Sequence, residues 1–106
     1  MDFNKSLVNQ IAAKIREICS PVKIILFGST ARGEIHENSD LDFLVVVPNG
    51  THRRKTAQMI YKNIIDIGFA ADIIVVTEED VETFRNVEGT IIKPALIEGN
   101  LIYDSF

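Results

Sequence analysis

A chain of 106 residues, 46% of them hydrophobic, has room for one domain built around one core. Its net charge of −4 argues against nonspecific nucleic-acid binding, which rests on clustered Lys and Arg, so no direct nucleic-acid contact is expected. No apolar run reaches the ~18 residues of a membrane span, Met1 to Lys5 lack the character of a signal peptide, and the single Cys19 excludes an intrachain disulfide. A cytoplasmic protein with no membrane association is the expectation.

Leu7, Val8, Ile11, Ile15 and Ile18 recur at helical spacing from a start near Asp2, and Ser20-Pro21 stops that first helix. Cys19 falls at its end, where a buried thiol is the expectation rather than a catalytic one. Two runs of buried-strand character follow, Val22 to Phe27 and Leu41 to Val47. Pro48-Asn49-Gly50 makes a turn, and Met59, Ile60, Ile64 and Ile67 mark a helix from about Thr51 to Asp66 that ends at Gly68. A third strand runs from Ala70 to Val76. Thr77 then reads as a helix N-cap, with Asp80 three residues later in the place of a capping box. A last helix is expected from about Glu88 to Glu98, with Pro94 positioned to kink or shorten it. The order helix, strand, strand, helix, strand, helix predicts an α/β or α+β fold, a small mixed β-sheet covered by helices in a single domain over residues 1–106. So short a chain is expected to leave one sheet face partly open near Asp40 and Asp42.

The chemistry concentrates between the first two strands. Gly28-Ser29 ends one strand, and Asp40-Leu41-Asp42 opens the next. Side chains alternate along a strand, so Asp40 and Asp42 point to the same side, about 7 Å apart. Paired carboxylates suit Mg²⁺, which takes hard oxygen ligands and completes its shell with water and phosphate. Glycine permits close backbone approach, and the serine hydroxyl and successive N–H groups can hold phosphate oxygens. Asp72, at the start of the third strand, supplies a third carboxylate if that strand lies beside the second. Three acids on neighbouring strands suit a two-metal, in-line displacement, with Asp72 as general base or metal ligand. Taken singly, each feature has an ordinary reading as a turn, a strand opening or a solvated strand end; their joint placement favours a site.

Two basic features flank this constellation. Arg32, three residues beyond Ser29, is a candidate phosphate contact, with a plain surface role as its alternative. His52-Arg53-Arg54-Lys55 reads as a solvated helix end, or else as a contact with a phosphate-bearing ligand, with a second substrate or with an acidic partner face. His36 and His52 are not placed as metal ligands, because Mg²⁺ prefers oxygen.

The run Gly28-Ser29-Thr30-Ala31-Arg32-Gly33, followed by Ser39-Asp40-Leu41-Asp42 and the apolar Phe43 to Val47, resembles the signature of the DNA polymerase beta superfamily of nucleotidyltransferases. Its shortness and its wording look most like the minimal nucleotidyltransferase (MNT) domains of prokaryotes. The resemblance implies that Gly28 and Ser29 hold the terminal phosphates of a nucleoside triphosphate, that Asp40 and Asp42 bind two Mg²⁺ ions, and that Asp72 is the third acid. It further implies ATP as substrate and, as partner, a HEPN-type RNase toxin that some MNT antitoxins silence by adenylylating a tyrosine. Three functional readings stay open: an active nucleotidyltransferase acting on a protein hydroxyl, a non-catalytic antitoxin that covers its partner's active site, and a small-molecule nucleotidyltransferase. The intact acids favour the first, because a blocker has no need of clustered carboxylates that repel one another. The third is weakened by the absence of an acceptor domain. Tyr61 and Tyr103 read as packing rather than as self-modification sites.

Overall fold

The apolar stripe Val8, Ile11, Ala12 and Ile15 has one use for a 17-residue helix, to lie on a sheet, and α1 (Phe3–Cys19) buries all four. The computed structural model describes residues 3–27, 41–67 and 71–105, with side chains from residue 6 onward. After α1 come β1 (Lys23–Phe27), β2 (Leu41–Val47), α2 (Arg53–Ile64) with a 3-10 turn at Ile65–Ile67, and β3 (Ala71–Thr77). Then come α3 (Glu78–Phe84), α4 (Ile92–Glu98) and β4 (Asn100–Asp104).

The four strands form one mixed sheet in the order β3-β2-β1-β4. β1 is antiparallel to both β2 and β4, whereas β2 and β3 run parallel. The parallel pair requires a crossover, and α2 provides it. On one face Ile24, Leu26, Phe43, Val45 and Val75 pack beneath α1 and α2, with Phe43 completely buried. On the other face Ile25, Phe27, Leu44, Val46 and Val76 form a smaller cluster with Ile92 and Ala95 of α4 and Val81 of α3. The central strands are therefore covered on both sides, which is why β2 reads as a continuous apolar run after Asp42. The fold is α+β.

Two expectations change in detail. The last helix is shorter than 88–98: Gly89 at φ +85° closes a turn, and Thr90 Oγ1 donates to the carbonyls of Phe84 (3.4 Å) and Val87 (2.9 Å). Pro94 lies in the first turn of α4, where its missing N–H costs no helical hydrogen bond, so it shapes the start of the helix and puts no kink in it. The chain after Gly99 forms β4, an edge strand with a register shift opposite Ile24/Ile25. Thr77 caps α3 as expected. Its hydroxyl accepts from Asp80 N (3.1 Å), and Asp80 Oδ2 accepts from Thr77 N (3.0 Å).

Candidate active site

Parallel pairing fixes the relation between the two described carboxylates. In the β2–β3 register Asp42 stands opposite Asp72, with Leu44 opposite Ile74 and Val46 opposite Val76. Neighbouring strands are about 4.8 Å apart, and residues opposite one another in register share a face, so the carboxylates project side by side. That face is the one α3 and α4 cover further along. Leu44, Val46 and Val76 are buried beneath them, while Asp42 is half-buried and Asp72 exposed. The acids thus stand at the end of that covered face, with apolar packing behind them.

The other side of Asp42 is occupied by Phe27, its partner in the antiparallel β1–β2 register. The chain leaves the described residues after Phe27 and returns at Leu41. Gly28, Ser29, Arg32 and Asp40, all expected at the site, lie outside the described residues, as does His36. Asp42 and Asp72 form the described part of the constellation.

Sequence reading gave Tyr61 no role at this site. Its hydroxyl accepts a hydrogen bond from Ile73 N (2.8 Å). β3 is a terminal strand, so this bond satisfies a backbone donor on its free edge directly beside Asp72 and anchors the strand start to α2. A tyrosine twelve residues before its partner Ile73 carries no local signal for such a bond. Tyr103 also has a structural use, lying beneath the Arg16 guanidinium 4.3 Å from the ring centroid.

The basic cluster proves remote from the carboxylates. It follows the turn at the far end of β2, five residues from Asp42 and so roughly 16 Å along the strand. His52 caps α2 by accepting from Lys55 N (3.2 Å), and Arg53 pairs with Asp80 at 2.8 Å. Arg53 is thereby engaged by a carboxylate outside the Asp42–Asp72 pair. Asp80, bonded by the Thr77 backbone N–H and then by Arg53, is held below the ordinary carboxylate range. Burial pushes the Cys19 thiol up, and its sulfur donates to the Ile15 carbonyl (3.4 Å), which suits a packing role.

The fold and the paired acids define a class, and comparison with known proteins agrees. Residues 8–98 match the family profile described as a nucleotidyltransferase domain, and the chain belongs to that family. It is a nucleotidyltransferase. A protein of Methanocaldococcus jannaschii named as a candidate protein adenylyltransferase is 31% identical over 99 residues, spanning 93% of each chain. The fold is shared with the crystal structure of a candidate nucleotidyltransferase from Sulfolobus solfataricus (TM-score 0.65, 19% identity, 94% of this chain and 79% of that one). It is shared equally with a toxin–antitoxin structure containing AMP-PNP (TM-score 0.63, 20% identity, 92% and 73%). An MntA–HpeT toxin–antitoxin mutant with two aspartates two positions apart changed to glutamate gives a TM-score of 0.64 at 20% identity, again over 92% and 73%.

Proposed function

We propose that this nucleotidyltransferase moves AMP from ATP to a hydroxyl of a partner protein, a tyrosine of a HEPN-type RNase toxin, and thereby acts as its antitoxin. The observation that carries this reading is the in-register placement of Asp42 and Asp72 at one sheet end. The adenylyltransferase name of the M. jannaschii relative, and the nucleotide analogue and toxin in the structural neighbours, support the donor and the partner.

The donor set fits Mg²⁺: two hard carboxylates opposite one another in register, with Asp40 two residues before Asp42 in the sequence. Asp42, Asp72 and Asp40 would hold the metal, which when bound neutralises phosphate charge and orients the triphosphate. In the proposed step the tyrosine oxygen attacks the α-phosphorus, the bond from that phosphorus to the α,β-bridging oxygen breaks, and pyrophosphate leaves. The phenolic proton passes to a carboxylate, for which Asp72 is assigned because it is the more exposed of the described pair. Gly28, Ser29 and Arg32 are proposed to hold the phosphates of the donor.

Incubation with Mg²⁺ and α-labelled ATP in lysate of the source cells tests the reading, with Asp42→Asn as control. A labelled band that the variant fails to produce supports transfer and reveals the acceptor. A stable complex with a partner that acquires no label would replace this reading with occlusion.

A further inference from the structure

Between Glu78 and Glu98 the chain carries six carboxylates and two cations, Arg85 and Lys93, while the charges in the rest of the sequence balance. The sequence's whole net charge of −4 therefore falls within this segment, with Arg53 of α2 offsetting Asp80 and leaving the surface acidic. The same segment displays large apolar side chains: Phe84 is 38% exposed, Val87 43%, Ile91 43% and Ile97 70%. Thr90 ties the carbonyls of Phe84 and Val87 together, so the turn that presents them is held in one shape. Alongside it runs a groove of about 430 Å³ with Pro94 and Ile97 among its lining residues; of its charged groups Glu88 and Lys93 pair with each other, and Glu98 adds a further carboxylate.

We infer that this acidic, apolar surface docks a cationic amphipathic segment of a partner protein. Apolar groups grouped within a charged border mark an interaction surface, and the sign of the charge selects the partner. A second copy meeting the same surface by two-fold symmetry would set acidic segment against acidic segment. A nucleic acid is repelled for the same reason. Both helices pack on the sheet face that carries Asp42 and Asp72, so a partner seated there lies on the carboxylate side of the molecule. The surface does not depend on nucleotide transfer taking place.

A fluorescently labelled helical peptide of leucine and lysine, compared with its leucine and glutamate counterpart, tests the inference by anisotropy and by backbone amide NMR shifts on the full chain. The lysine peptide is expected to bind, to weaken as salt rises, and to shift amides between 78 and 98. Phe84→Ser and Ile97→Ser, at exposed positions and checked for folding by circular dichroism, are each expected to weaken binding about fivefold or more. Asp42→Asn is expected to bind the peptide as the parent does, which separates this inference from the proposed transfer. Absence of binding, equal binding of the glutamate peptide, or shifts confined to other elements would overturn it. So would displacement of the peptide by a uridine oligonucleotide, or a sedimenting dimer that Ile97→Ser abolishes.

Discussion

Gly99 joins α4 to β4, and its replacement by alanine is the most demanding test of how that end of the chain packs. Its backbone, at φ −77° and ψ 162°, is open to any residue, so the penalty of a side chain is purely steric. An added Cβ would fall 2.3 Å from the Ala95 carbonyl oxygen, 2.5 Å from Ile25 Cγ2 and 3.1 Å from the Leu26 carbonyl oxygen. The Ala95 carbonyl is already engaged by Gly99 N at 2.9 Å, and Ile25 is buried, so neither can retreat freely. Overpacking of this kind costs about 1–3 kcal/mol, and two contacts under 3.0 Å place Gly99→Ala near the upper end. Urea unfolding should then show a midpoint lower by about 1–2 M at an unchanged slope, for a slope of about 1.5–2 kcal/mol/M. A midpoint within about 0.2 M of the parent would mean that β4 does not close on β1 as described, and the account of the sheet edge would fall with it.

Three further predictions concern other parts of the fold. Thr77→Ala should cost about 1 kcal/mol by removing the α3 cap, measured by thermal or urea unfolding. Asp80→Asn tests the same cap by its pH dependence. The folded carboxyl titrates below its ordinary value of 3.8, so the parent's advantage is full above that pH and is lost as pH falls through the lower folded value. A gap between parent and variant that persists unchanged into strong acid would contradict the ionised cap. Ser20 holds φ 43° just after α1, a left-handed conformation costly for any residue with a Cβ. Ser20→Gly is therefore expected to stabilise the protein by about 0.5–1 kcal/mol, read as a higher unfolding midpoint.

Most of the fold was legible where local chemistry and burial coincide. The i, i+3, i+4 apolar stripe of α1, the uninterrupted apolar run of β2 and the Thr77/Asp80 box each state their structure within a few residues. The alternation in β3 put Asp72 on a chosen face, but its register against Asp42 came from long-range pairing that no short window encodes. β4 was not read as a strand because its partner β1 lies some seventy-five residues earlier and its side chains are largely exposed, which removes the apolar signature of a central strand. The 88–98 helix was overextended because the tie from Thr90 to Phe84 and Val87, with left-handed Gly89, ends the turn before a helix can begin. His52 to Lys55 kept several readings in sequence because distance along a strand is invisible there; the turn after β2 carries the cluster away from the acids.

The most direct test of the central claim is the rate at which labelled AMP is transferred by Asp72→Asn, compared with Glu17→Gln. Glu17 is exposed on α1 near the opposite end of the sheet, so its loss leaves the carboxylate end untouched. Loss of a general base or metal ligand lowers such a rate about 10²- to 10⁴-fold. The account predicts a fall of that size in Asp72→Asn, with parental transfer in Glu17→Gln and the same folded circular dichroism spectrum in both. Transfer by Asp72→Asn at the parental rate would contradict it.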